Sequence, residues 1–282
     1  MTVFEARATQ GKLKTGTIPG MSKKTPDYGL DAPGIVRNCL VFGGLGLCAG
    51  GLLAWREHHV MMWLGVAILI ASTVPFSQGL LMIHYSKAGK FRCRDRILDL
   101  IEWKGQETVL DVGTGRGLLL IGAAKRTSGR VVGIDLWSQK DLSKNSAEST
   151  MANAAIEGVA DRVEVRDQDA QHMIFADCSF DAVFSNLCLH NIPTRDGRQQ
   201  ACREIARVLG PQGSAVISDY KALEDYEGAF AAAGCHVEPP YRINFFPPLR
   251  VVRVQKPSSQ CYALDGGDHP LPACPIGARR LL

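Results

Sequence analysis

One glycine turn, a few carboxylates and one histidine could carry this chain's chemistry. Residues 109–117 read VLDVGTGRG, an apolar run that enters Gly113, Thr114, Gly115, Arg116 and Gly117, followed at once by LLLIGAA. Glycine lets a backbone turn sharply and lets a ligand approach the main chain. A dinucleotide turn would read GxGxxG around a pyrophosphate. Here Leu118 takes the place of the last glycine, and no GxxxxGK[ST] phosphate loop occurs, so a phosphate is not the favoured ligand. Further along, FDAVFSNLCLHNI (180–192) carries His190, a candidate for proton transfer because histidine titrates near neutral pH. The plainer reading of His190 is an ordinary loop histidine. Asn186 and Asn191 flank it and could position a reacting molecule.

Such residues need a scaffold, and the hydrophobic pattern describes one. From about residue 92, helix-like and strand-like segments alternate, the mark of an α/β fold with a mostly parallel sheet. Strands are predicted at 108–112, 131–135, 162–166, 181–185 and 214–218. Helices are predicted at 94–103, 118–126, 146–158, 198–209 and 223–233, the fourth stopped by Gly210-Pro211. Segments 236–245 and 250–254 could close the sheet as an antiparallel pair. The glycine turn then lies between a strand and a helix, and His190 lies in the loop after the fourth strand.

VLDVGTGRG, VVGIDLW, RDQDA and FDAVFSNLCLHNI together resemble the class I S-adenosylmethionine-dependent methyltransferases, of the type 11/25 kind, over residues 92–254. The resemblance implies a Rossmann-like, seven-stranded methyltransferase sheet with helices on both faces, and S-adenosyl-L-methionine as cofactor. It implies that Gly113, Thr114, Gly115 and Gly117 pack against the methionine part, and that Asp111 orients this turn or the cofactor's amino group. Asp135, 22 residues after Gly113, would accept hydrogen bonds from the ribose hydroxyls; its alternative is a helix-capping carboxylate. Leu136 and Trp137 would flank the adenine. Asp169, with Asp167 as competitor and Ala170 beside it, would meet the adenine amino group. Asn186 and His190 would line the reaction site, with Asn186 near the cofactor as well. Methyl transfer is an in-line displacement that can run on orientation alone, so His190 need not act as a base. The NPPY signature of many amino-group methyltransferases is replaced by SNLC, which disfavours the exocyclic amine of a base. The scattered cysteines do not make an arsenite-methyltransferase spacing. Residues 85–137 are further similar to a group of membrane-anchored bacterial methyltransferase-like proteins.

The rest of the 282-residue chain differs in composition. Residues 1–34 are polar, basic and rich in glycine and proline, the pattern of a flexible tail. Two apolar runs follow within 35–84, separated by Arg56-Glu57-His58-His59. A spanning helix needs roughly 20 apolar residues, so these runs predict a two-helix transmembrane hairpin, with an in-plane helix or a buried core hairpin as alternatives. The methyltransferase-like domain occupies 85–256, and 257–282 is an irregular tail. Lys12, Lys14, Lys23, Lys24 and Arg37 precede the hairpin; Lys87, Lys90, Arg92, Arg94 and Arg96 follow it. By the positive-inside rule both flanks, and the catalytic domain, are cytoplasmic. Tyr85 and Lys87 lie where hairpin meets domain and could cover the cofactor. A net charge of +4, clustered beside the apolar runs, does not point to nucleic acid. The anchor suggests a small, lipophilic acceptor drawn from the bilayer. A membrane protein or peptide acceptor, or a non-catalytic cofactor-binding assembly factor, are the competing functions.

Overall fold

The structure is a computed structural model and describes residues 25–56 and 58–258. Residues 1–24 and 259–282, most of the two expected tails, lie outside the described residues.

The apolar runs form α1 (Pro33–Ala54) and α2 (His59–His84). Pro33 sits in the first turn of α1, where a missing N–H is harmless. The two helices meet through small residues. A Cβ on Gly65 would lie 2.3 Å from the Ala54 amide nitrogen, and Gly43 and Gly79 back onto Phe76 and Leu40. Outward the pair presents Phe42, Leu45, Leu52, Trp63, Ile70 and Val74, all exposed. That exposure separates the hairpin from the buried core of the domain, and both helices are long and apolar enough to cross a membrane.

α2 runs through a π-helical turn, Tyr85–Gly89, into α3 (Lys90–Leu98). The leading helix thus starts earlier than predicted and stops short of Trp103. The Trp103 indole donates instead to the Leu98 carbonyl at the helix end and stacks on Phe184.

The sheet contains β1 (Val109–Val112), β2 (Val131–Asp135), β3 (Val163–Asp167), β4 (Phe180–Asn186), β5 (Leu209–Asp219), β6 (His236–Val237), β7 (Tyr241–Arg242) and β8 (Arg250–Gln255). The order is β3-β2-β1-β4-β5-β8-β6, with β7 also paired to β8. Strands β1 to β5 are parallel, and β8 runs antiparallel to β5. This is the mixed, Rossmann-like sheet expected, with two short strands rather than one long segment closing it. β5 begins at Leu209, not 214, because Leu209 pairs with Phe180 across a register shift. α6 (Arg195–Val208) accordingly ends where the strand starts.

Successive strand residues face opposite sides, which divides the core. Leu110, Val112, Val132 and Ile134 pack against α6 and α7 (Leu223–Ala232). Val109, Val131 and Val163 pack against α3, α4 (Leu118–Ala124) and α5 (Ala147–Ile156). Helices therefore cover both faces, and the parallel strands read as apolar runs for that reason.

Residues 27–32 correct the expectation of a flexible tail. They form a strap across the domain, held by hydrogen bonds that a tail would lack. The Asp27 carboxylate pairs with Arg116 at 3.0 Å, and the Asp27 amide donates to Asn153 at 2.9 Å. Tyr28 is buried, donates from its hydroxyl to Glu157, and meets Phe91 edge-on. Lys90, itself buried, donates to the Tyr28 and Gly29 carbonyls at 2.7 Å each and reaches Asp31. Burial pulls the Lys90 ammonium below its ordinary range, opposed by the Asp31 carboxylate. Polar and glycine-containing composition gave no hint of this docking, since every partner is distant in sequence.

Candidate active site

In the strand order, direction of progression reverses between β1 and β4, and crevices at such switch points hold ligands at the carboxyl ends of the strands. A cavity of about 900 Å³ lies there. The glycine turn, the segment after β2, the loop after β4, the strap and the hairpin base all contribute to its wall.

The turn is shaped for close approach. Gly113 has φ +75°, and a Cβ there would fall 2.1 Å from Cys188 Sγ. The loop after β4 therefore packs on the turn itself. Asp111, buried at the end of β1, accepts from the Thr114 hydroxyl at 2.8 Å and the Leu120 amide at 2.9 Å. It ties the turn to the start of α4 while also lining the cavity. Burial pushes its carboxyl up to about 7, against the pull of those two hydrogen bonds.

Asp135 ends β2 and faces the cavity. Its two oxygens accept from the Gly115 amide at 2.7 Å and the Trp137 amide at 2.6 Å. Oδ1 also accepts from the Asn145 amide at 3.3 Å, and the second lone pair of Oδ2 lets the residue brace the turn and still accept from a ligand. Leu136 is exposed and lines the cavity. Trp137 does not line it. Its indole donates to Asp167 on β3, so the two expected adenine neighbours separate. The same contact engages Asp167 at the end of β3. Asp169 lines the cavity beside Ala170 and is held by the Gln171 amide at 2.9 Å. Thr114, Gly115 and Asn186 line it too, whereas Gly117 lies outside the lining, capping α4 with φ +85°. Tyr85 lines the cavity; Lys87 is exposed and does not.

At the other side of the turn, His190 is nearly buried, with Nδ1 2.7 Å from Oδ1 of the fully buried Asp219. The contact is bent short of a formed hydrogen bond, a state that substrate can tighten. Asp219 is fixed by the Tyr220 amide at 2.8 Å, the Tyr226 hydroxyl at 3.1 Å and the His190 amide at 3.2 Å. The Tyr220 ring lies edge-on to the imidazole. Sequence reading missed Asp219. The signal was available: it ends β5, the parallel neighbour of the strand whose loop carries His190.

Several buried polar atoms without a partner among the described residues belong to cavity-lining side chains: Asn145 Oδ1, Gln168 Nε2 and Asn186 Oδ1. Burying such atoms unpaired costs free energy, so the cavity is built for a polar ligand that supplies both donors and acceptors. A nucleoside with an amino-acid side chain fits that set.

Residues 110–217 match the family model described as a methyltransferase domain. Among curated proteins, the chain is 33% identical over 134 residues to methyltransferase GfsG of Streptomyces halstedii, spanning 48% of this chain and 45% of that protein. It is 30% identical over 142 residues to the 27-O-demethylrifamycin SV methyltransferase of Amycolatopsis mediterranei, spanning 50% and 49%. It is 33% identical over 128 residues to the demethylmenaquinone methyltransferase of Lactobacillus johnsonii, spanning 44% and 48%. The chain thus spans about half the length of the curated relatives it matches. Among solved structures, the [4+2]-cyclase SpnF aligns with a TM-score of 0.51 at 18% identity, covering 59% of this chain and 81% of that one. That likeness concerns the fold alone.

Proposed function

We propose that this chain, whose residues 110–217 match a methyltransferase domain, is a membrane-anchored, S-adenosylmethionine-dependent enzyme that methylates a hydroxyl group on a small, lipophilic acceptor. The observation that carries the reading is a single cavity. It joins the glycine turn, Asp135 and Asp169 to His190, with Asp219 behind it, and reaches the base of the apolar hairpin. Relatives support a small-molecule acceptor, since two are described as acting on a rifamycin and on demethylmenaquinone.

Gly113, Thr114 and Gly115 would hold the methionine part, Asp135 the ribose and Asp169 the adenine. Asp111 would face the positive end of the ligand, and Asn186 would lie between cofactor and acceptor. S-Adenosylmethionine supplies, when bound, an electrophilic methyl group on a sulfonium. His190 lines the cavity and would take the acceptor's hydroxyl proton on Nε2. Asp219, 2.7 Å from the opposite nitrogen, would close a hydrogen bond to it and stabilise the imidazolium that results. Asn186 and Asn191 would orient the acceptor, and the strap, with Tyr85, would exclude water. The hairpin would span the bilayer with both flanks, and the catalytic domain, on the cytoplasmic side. An acceptor confined to the bilayer is then met at high effective concentration. No observation favours a protein acceptor or a non-catalytic role over this reading.

The test is direct binding and turnover. Calorimetry should show S-adenosylmethionine binding to the full chain. Methyl-labelled cofactor incubated with a bilayer-borne phenol should yield a labelled methyl ether. A protein that binds the cofactor and transfers nothing to phenols or membrane lipids would contradict the proposal.

A further inference from the structure

The cavity extends beyond the reaction end to the hairpin, where its wall is built from Ile35 and Asn38 on α1 and Gln78, Met82 and Tyr85 on and after α2. Residues 78, 82 and 85 fall on one helical face, so they make a stripe leading from the hairpin's flank to the pocket. Asn38 and Gln78 are the only carboxamide side chains in α1 and α2, and both line this one cavity. Gln78 lies six residues before the end of α2, roughly 9 Å along the axis at 1.5 Å per residue. It is exposed and makes no hydrogen bond among the described residues. Asn38 receives only its neighbour Arg37, at 3.4 Å, through its oxygen, which leaves its amide N–H groups free to donate.

A carboxamide facing hydrocarbon is costly, and a polar side chain within a spanning segment usually faces a functional cavity. Thr73 illustrates the ordinary solution, since its hydroxyl bonds back to the Leu69 carbonyl of its own helix. Gln78 has no such arrangement, and a ligand in the cavity it lines can supply a partner. Ile35 and Met82 line the opening beside the two carboxamides, so the ligand that suits it combines an apolar chain with hydroxyl or carbonyl groups.

We infer that Asn38 and Gln78 form a membrane-side binding site for the acceptor. The two carboxamides hydrogen-bond hydroxyl or carbonyl groups of its polar ring as the ring leaves the leaflet, while its apolar chain stays in lipid between the bases of α1 and α2. The ligand class rests on the function proposed above; the location rests on the cavity wall.

The full-length protein in phosphatidylcholine vesicles, given a long-chain alkylphenol with a diazirine in its chain next to the ring, tests this. After photolysis, mass spectrometry should place the label on residues 34–38 and 78–85, displaceable by the same alkylphenol without the diazirine. Asn38→Leu/Gln78→Leu should reduce that labelling about tenfold, the effect of losing two neutral hydrogen bonds, with retained S-adenosylmethionine binding reporting an intact fold. Label spread equally over outward residues such as Phe42, Leu45 and Ile70 of the wild-type protein would overturn the inference, as would unchanged labelling in the double variant. Labelling at this wall without any methyl transfer would contradict the proposed activity and leave the site standing. Transfer to a short, water-soluble phenol with no label at the wall would do the reverse.

Discussion

The two ends of the cavity are built differently. At the sheet, Asp111, Asp135 and Asp219 each sit at the end of a buried strand, with carboxylate oxygens held by backbone amides or neighbouring hydroxyls. Their positions follow from strand register, and little can move. At the hairpin, the wall comes from two exposed helices and a strap tied down by side chains from distant segments, Asn153, Glu157 and Lys90. Rigidity at the first end suits a reaction that depends on alignment. The second end is joined to the first through the strap, where Asp27 pairs with Arg116 of the glycine turn. The contrast teaches where substitutions should change chemistry and where they should change access.

The largest effect separates the ends outright. His190→Ala should lower methyl transfer by about 10²- to 10⁴-fold, the usual contribution of a positioned base, while leaving the S-adenosylmethionine affinity close to wild type. Steady-state rates and calorimetry on the same preparation check this, and a small loss of turnover would reduce His190 to a loop residue. Next, Asp135→Ala should weaken cofactor binding about ten- to a hundred-fold by removing a charged acceptor and the brace on Gly115. Unchanged affinity would remove Asp135 from the ribose site.

A smaller effect probes the strap. Lys90→Met leaves the Tyr28 and Gly29 carbonyls and Asp31 without their shared donor, a loss of roughly 1–3 kcal/mol. Hydrogen exchange should accelerate at residues 27–32 with little change at β1 or β4. If exchange rises uniformly, the two ends form one cooperative unit and the distinction drawn between them fails.

The smallest effect is one of pH. Burial raises the Asp111 carboxyl from its ordinary 3.8 to about 7, so the folded protein holds that proton more tightly than the unfolded chain. Its linkage therefore lowers stability as pH rises from about 4 to about 7, with no further change above. A cationic ligand beside it favours the ionised form. Binding S-adenosylmethionine at pH 6 should then release a proton and at pH 8.5 should not. Calorimetry in buffers of different ionisation heat measures this, and Asp111→Asn should abolish the difference.

The end of the cavity built on strands was the legible one. Glycines at a strand-to-helix turn, an acid after the second strand and a loop after the fourth are local patterns, and the sheet brings them together by register. Trp137 was misjudged because adjacency in sequence says nothing of direction; at φ +58° its ring turns to Asp167 rather than into the cavity. Asp219 was overlooked because nothing local marks it, although sheet order places it beside His190. The strap was illegible for a deeper reason. Asp27 and Asn153 are 126 residues apart, and a short polar segment that docks by side-chain pairing has the composition of one that does not.

The central claim is that the two ends serve one reaction on an acceptor held in the bilayer. Full-length protein in vesicles containing a long-chain alkylphenol, supplied with methyl-labelled S-adenosylmethionine, tests it most directly. Label should move into a lipid-extractable methyl ether with the wild-type protein and should fail to do so with His190→Ala. Label that remains in the aqueous phase, or that appears on protein, would contradict the account.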